Sequence, residues 1–443
     1  MSVVQGITLG DAWPRAVPAF DRKNVERAHR VALYLTATAV ASLAWLHPAG
    51  PGNSSPTDVV MVPAIAAVWT WMFLSRGVIR VPFGISIGLV IAAGCISGIA
   101  GPIVRGALVT VGYPQAPLIA VIQDIYLLIW CLSIVNLARS ASALRVLLAA
   151  WVYAAAFWAV LLIAGAITGI QALSGVEVNN GVRAEGQFGD PNMASGYFAM
   201  SLFVLWSSDV PKRSWQRAPI FVILLTAMFY TGSNGGFLSL AVGLGFLTLF
   251  AIRARYGAIV MVAAGCALLV VAAAATQLIN PSDVQQWARD SGIPLLRDGI
   301  GRSDSSASQR VVILQEAWKL FQENGPLGAG PGATQPILAE SLAPFPHQAH
   351  DDYLAAVVER GFEGGVALVV LISAIAWRAR HAIGGRLKAD YAAVVPRREA
   401  LIAALLGLAT AAAYYQVLHF RHAWTLLAVI AAVQVWGRDW TTS

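Results

Sequence analysis

GAIVMVAAGCALLVVAAAATQ, residues 257–277, carries no charged side chain. A helix in a soluble domain is apolar along one stripe; one that is apolar all round is buried on every side or meets lipid. At ~1.5 Å per residue the stretch is also long enough to cross a hydrocarbon core ~30 Å thick. The same test applied outward finds spans near 31–46, 58–75, 81–101, 117–137, 146–171, 193–208, 218–232, 235–252, 257–277, 353–377, 399–418 and 422–437. The reading is an all-α polytopic membrane protein of about 12 transmembrane helices. It forms a single transmembrane domain over 1–443, interrupted by a long polar loop at 278–352 that carries surface helices between spans nine and ten.

Composition agrees. Of 443 residues, 57% are hydrophobic and 12% charged, against roughly 45–50% and 25% in soluble domains. That apolar excess cannot fit one globular core, so the bilayer must be part of the solvent. Fifteen tryptophans and eleven tyrosines suit a chain with many water–lipid boundaries. Cys95, Cys131 and Cys266 lie in apolar runs without metal-ligand spacing and read as buried, inert thiols. No basic run with interleaved aromatics suggests nucleic acid as a partner. The N-terminus lacks the apolar segment and cleavage site of a signal peptide.

The net charge of +7 is a topology signal. With the N-terminus in the cytoplasm, one set of loops holds Arg15, Arg22, Lys23, Arg27 and Arg30, then Arg76 and Arg80, Arg139 and Arg145, and Lys212, Arg213 and Arg217. It continues with Arg253 and Arg255, the cluster from Arg378 to Arg398, and Arg438. Most basic residues thus fall on alternate loops, and the positive-inside rule puts both termini in the cytoplasm. Two polar segments stand out on the opposite side, one near 173–192 and the long one at 278–352. Within the latter, Val311, Ile313, Leu314, Trp318 and Leu320 or Phe321 recur at helical spacing until Gly325-Pro326. They predict an amphipathic helix on the membrane surface or packed over the bundle.

Chemistry-bearing residues concentrate on that side. PHQAHDDYL, 346–354, sets His347 and His350 ahead of a span. His350 beside a carboxylate has the make-up of a general base, while Asp351 and Asp352 suit a helix N-terminus, where one of them caps. A His347–His350 metal site lacks a third histidine, and no metal is expected. Arg183 and Arg310 are the arginines placed to fork onto phosphate oxygens; pairing with nearby acids such as Glu185 or Asp304 is the alternative. Arg360, beside Glu359 in a span, suits a bundle-facing ion pair. Thr231–Gly236, TGSNGG, reads as a tight return between two spans. GPLGAGPG, 325–332, lacks the GK[ST] and preceding strand of a nucleotide loop.

Four stretches in order resemble the O-antigen ligase and polysaccharide polymerase superfamily of bacterial membrane glycosyltransferases. They are RAEGQFGDPNMAS (183–195), TGSNGGFLSL (231–240), SASQRVVILQEAWKLFQENGPLGAGPG (306–332) and HDDYLAAVVERGFEGG (350–365). The resemblance covers roughly 180–380. It implies a glycan donor on an isoprenoid pyrophosphate carrier, a glycan or lipid-anchor acceptor, membrane lipids as surroundings and no cofactor. It also implies an active site on the extracytoplasmic side of the bacterial cytoplasmic membrane. By this resemblance His350 takes the proton of the acceptor hydroxyl in an inverting transfer, Arg310 and Arg183 hold the pyrophosphate, and Asn234, Asp351 and Tyr353 line the substrate site. Two positions depart from the pattern: Asn234 stands where the family turn carries arginine, and Asp351 where asparagine follows the histidine. Arg183, Arg302 or Arg421 then supplies the missing cation, or the donor differs, or the chain is a non-catalytic member. Ligase and polymerase both remain open. So does a flippase or secondary transporter, although the main acids within the spans are only Asp124 and Glu359.

Overall fold

Helix starts follow the capping residues. Ser140, Asp190, Ser233, Asn280 and Asp351 each take an extended backbone and accept hydrogen bonds from the first turn of the helix that follows. At Ser55 the roles reverse: its N–H and hydroxyl donate to Asp58 at 2.8 and 2.9 Å, closing the first turn from the other side. Pro56, Pro191 and Pro281 sit in first turns, where a missing N–H costs nothing.

In a computed structural model, residues 22–50, 54–104, 115–175, 183–278, 280–293, 296–297, 305–340 and 351–439 are described. The helices are α1 (Arg22–Ala41), α2 (Pro56–Ser75), α3 (Gly84–Val104), α4 (Gln115–Leu137), α5 (Ala141–Thr168) and the short α6 (Gln171–Ser174). There follow α7 (Pro191–Ser207), α8 (Ser214–Thr231), α9 (Asn234–Tyr256), α10 (Ala258–Leu278) and α11 (Pro281–Asp290). The remainder are α12 (Ser305–Asn324), α13 (Thr334–Glu340), α14 (Asp352–Gly384), α15 (Ala389–Val394), α16 (Glu399–Ala412) and α17 (Arg421–Ala432), the last closed by a π-turn to Gly437. No strand occurs among the described residues. Every predicted span coincides with a helix. Six described helices are long and apolar enough to cross a bilayer: α2, α4, α5, α9, α10 and α14; α3 and α16 are shorter and apolar.

One contiguous apolar core links α1, α2, α4, α5, α7, α8, α16 and α17. Some of the tryptophans that suit water–lipid boundaries lie inside it instead. Trp130 donates to Thr425 and Trp151 to Ser201, each at 2.9 Å, so the indole N–H ties neighbouring helices together. Helix α10 lies at the other extreme, with Ile259, Leu269 and Val270 more than two-thirds exposed. Such a face is stable only in an apolar solvent. Cys131 is buried as expected, whereas Cys95 and Cys266 are exposed on apolar helices, which corrects that part of the cysteine reading.

The amphipathic helix forms as α12 and stops at Asn324, but its buried face differs from the predicted one. Ile313, Ala317 and Leu320 pack inward while Val311 and Trp318 point out. Ala317 and Leu320 join Ala355 and Val358 of α14 in a second core, so α12 lies against the bundle.

The connections fall into two groups. At one end lie the Arg145–Asp209 ion pair, Arg217 donating to the Pro211 and Ser208 carbonyls, Arg139 stacked 4.1 Å over Trp71, and the Arg397 N–H on Ser207. These are the loops whose basic residues were assigned to one side. At the other end the residues after α1 meet the segment before α7, the 46 and 47 N–H groups both donating to the Gln187 carbonyl. The α8–α9 turn, the start of α14 and the α16–α17 loop gather there too.

Candidate active site

At the second end, Arg183 is built into a polar knot. Its Nε donates to the Thr231 carbonyl at 3.0 Å and its Nη2 to Asn192 Oδ1 at 3.1 Å, and the Ser233 hydroxyl donates to the same oxygen at 2.8 Å. Asp190 caps α7 through the Asn192 and Met193 N–H groups at 2.7 and 2.9 Å. Two stretches 48 residues apart, RAEGQFGDPN and TGSNGG, are thereby one structural unit. The turn itself is only Gly232 and Ser233, closed by a left-handed glycine and a serine cap. Gly236 follows because a Cβ there would strike the Ser195 hydroxyl of α7. Asn234, which replaces the family arginine, is exposed on the first turn of α9. Asn234→Arg should therefore leave thermal stability, read by unfolding of the purified protein, within about 0.5 kcal/mol of the parent; a large loss would mean the turn packs differently.

The two aspartates opening α14 divide the work. Asp351 is the cap, accepting the Tyr353 and Leu354 N–H groups at 2.7 and 3.0 Å. Asp352 turns inward and accepts the Val417 and Leu418 N–H groups at 2.7 and 3.1 Å, pinning the α16–α17 loop to the helix start. Tyr353 donates to the Ala409 carbonyl at 2.8 Å, so its hydroxyl is engaged with α16. His350 and His347 lie outside the described residues, as does Arg302, and of Arg310 only the backbone, in α12, is described.

Burial raises the Asp351 pKa above the ordinary carboxylate value, with the two capping N–H groups acting in the other direction. The stabilisation from this group is then complete below about pH 4 and is lost as pH rises through the raised pKa. Asparagine caps as well without the charge. Asp351→Asn should therefore gain stability on the parent between about pH 4 and 7, whereas Asp351→Ala should lose ~1 kcal/mol at neutral pH. Thermal unfolding of purified protein over that pH range reads both.

Helix α14 is broken in its third turn. Gly361 takes φ 71°, ψ −169°, a conformation essentially closed to other residues. The break frees the Val358 and Glu359 carbonyls, which accept the Ala329 and Gly330 N–H groups at 2.9 and 2.8 Å, while Phe362 N–H returns to the Pro326 carbonyl at 2.8 Å. The Glu359 carboxylate completes the dock by accepting Gly332 N–H at 3.0 Å and the Thr334 hydroxyl at 2.9 Å. GPLGAGPG, no nucleotide loop by its pattern, is thus a plug seated in a broken helix. Its fit to ERGFEGG is the physical reason for both glycine-rich motifs.

The buried charges are paired. Arg360 lies 2.7 Å from Asp124 and donates to the Val90 carbonyl, the bundle-facing ion pair predicted for it. Arg421, considered as a substitute pyrophosphate cation, instead forks onto Asp58 of α2, with Nε 2.7 Å from Oδ1. Its charge is matched, which argues against that role. His419 is half-buried among these groups; burial lowers its pKa, Arg360 and Arg421 adding to the effect and Asp124 and Glu359 opposing it. His419 and Asp352 were not singled out as site residues from sequence. Asp58 is held by Arg421, 363 residues away in the chain.

A cavity of about 580 Å³ opens at this end, bounded by the segments after α1 and before α7, by α4, and by the α16–α17 loop. Among the described residues, no group of three or more His, Cys, Asp or Glu side chains could hold a metal.

An all-helical chain with several apolar spans, a plugged broken helix and a polar cavity at one end defines a polytopic membrane protein with a site at a bundle end. Residues 219–369 match the family model described as O-antigen ligase. Over about a third of its length the chain is thus similar to O-antigen ligases, which supports membership of that superfamily and suggests a membrane glycosyltransferase of the ligase or polymerase type. Three of the four recognised stretches fall inside the match, and the fourth is bonded to it through Arg183 and Asn192. No curated protein matches the chain.

Proposed function

We propose that the protein transfers a glycan from an isoprenoid pyrophosphate carrier to an acceptor hydroxyl. The bundle is one twelve-span domain in the bacterial cytoplasmic membrane, with both termini and the arginine-rich end in the cytoplasm. The reaction takes place at the opposite end. The observation that carries this reading is the match of residues 219–369 to O-antigen ligase, together with the gathering of the matched motifs at the end away from the basic loops.

His350, one residue before the Asp351 cap, accepts the proton of the acceptor hydroxyl as its oxygen attacks the anomeric carbon. The bond from that carbon to the pyrophosphate oxygen breaks, with inversion, and the carrier pyrophosphate leaves. Arg310 and Arg183 stabilise the growing charge on the leaving group, a contribution that preorganised cations make without a cofactor. Arg183 is suited to this because Thr231 and Asn192 already fix its guanidinium. The ligase form, with a lipid A core or similar anchor as acceptor, is favoured slightly over the polymerase form, in which the acceptor is another repeat unit.

Transport is less well supported. The two acids that would serve a proton or ion path are engaged, Asp124 by Arg360 and Glu359 by the 325–332 loop. The test is reconstitution of the full chain in lipid with a glycan-bearing isoprenoid pyrophosphate and candidate acceptors. Formation of a new glycoside with release of the bare carrier pyrophosphate is expected; movement of the intact glycolipid across the bilayer without transfer would overturn the reading.

A further inference from the structure

A second cavity, of about 440 Å³, opens at the arginine-rich end of the bundle, away from every group assigned to glycan transfer. Three elements wall it: α1 through Glu26, His29 and Arg30, α2 through Trp71, and the α4–α5 turn through Arg139 and Ser140. Trp71 is only 1% exposed, and two side chains lie against its ring, His29 at 4.8 Å and the Arg139 guanidinium at 4.1 Å. Gly77 leaves the room that Arg139 needs, since a Cβ there would strike its Nη1. Arg139 is thus held in place, yet both it and Arg30 remain exposed.

Charge is unbalanced at this cavity. Glu26, the acid among its lining residues, is engaged by Arg22 at 3.0 Å. Neither Arg30 nor Arg139 has an acid within ion-pair distance among the described residues. Burial lowers the Arg139 pKa and no acid opposes it. Arg360 and Arg421, towards the other end, each hold an aspartate instead. Two guanidiniums lining one cavity without a counter-charge offer planar forks to the oxygens of a phosphate.

The neighbouring surface says what carries that phosphate. One turn along α1 from Arg30, on the same face, Tyr34 is 66% exposed, and Val31 is 53% exposed. They lead from the cavity into the predicted span, so a headgroup seated there keeps its acyl chains on an apolar track. We infer that this cavity binds the phosphate of an anionic phospholipid headgroup through Arg30 and Arg139, and that the lipid ties α1 and α2 to the start of α5. The site lies at the opposite end from glycan transfer and does not depend on that reading.

The test uses the full chain, delipidated in detergent and titrated with phosphatidylglycerol, phosphatidylcholine or glycerol phosphate, with bound ligand read by native mass spectrometry. Phosphatidylglycerol should bind more tightly than phosphatidylcholine. Arg30→Gln and Arg139→Gln should each weaken phosphatidylglycerol about five-fold, the loss expected for one cation beside an anionic lipid. Arg213→Gln removes a charge from another exposed loop position at the same end and should leave that affinity unchanged. Phosphatidylcholine should bind alike in all variants. Parental phosphatidylglycerol affinity in both Arg30→Gln and Arg139→Gln overturns the site. An equal loss in Arg213→Gln also overturns it, because binding would then follow net charge alone. Glycerol phosphate binding as tightly as phosphatidylglycerol overturns the lipid assignment in favour of a soluble phosphate.

Discussion

His350→Ala is expected to lower glycan transfer by about 10²–10⁴-fold, the range that loss of a positioned general base produces. Membrane insertion and thermal stability should stay at parental values, because the neighbouring cap is supplied by Asp351 and the anchoring of the α16–α17 loop by Asp352. The acceptor hydroxyl is a poor nucleophile at neutral pH, and the proton it loses must go to a group placed at the point of attack. Transfer measured in reconstituted lipid with saturating glycan-bearing carrier isolates this step from donor binding. Parental rates in the variant would remove His350 from the chemistry. A variant that retains donor binding while losing turnover would separate the base role from one in recognition.

Gly361→Ala should be nearly as damaging, by a different route. A side chain at φ 71°, ψ −169° carries a backbone cost of about 1–3 kcal/mol. Its Cβ would also collide with the Pro326 carbonyl and the Leu327 backbone, which cannot rotate away as a side chain could. The variant must release the 325–332 plug, and with it the bonds from Ala329, Gly330 and Gly332 to α14. Folded yield in detergent should fall sharply, and a protease should cut near 325–332 where it spares the parent. Parental yield and protease resistance would mean that α14 can straighten without the plug. The same contacts explain why a membrane helix tolerates irregular backbone here: the carbonyls freed by the break are taken up by the loop.

Much of the fold was legible because its signals are local. Apolar runs, capping serines and aspartates, and helix-stopping glycines act over one or two turns, and every predicted span is found as a helix. The exceptions lay where packing chooses among equivalent patterns. Val311 and Trp318 shared the apolar spacing of α12, but the face that meets α14 is Ile313, Ala317 and Leu320. Two of three cysteines in apolar runs face outward, since an apolar helix in lipid need not bury every apolar residue. Arg421 looked available as a cation until Asp58 was seen to hold it.

From the sequence by itself came the membrane class, the alternation of basic loops, the family resemblance and the proposal that His350 acts with Arg310 and Arg183. Such properties depend on composition, periodicity and short motifs. Only the tertiary structure decided which aspartate caps α14 and which anchors a distant loop, and that GPLGAGPG seats in the break at Gly361. Each of those depends on groups far apart in the chain meeting at hydrogen-bond distance, and no local pattern encodes which distant donor a buried oxygen will find.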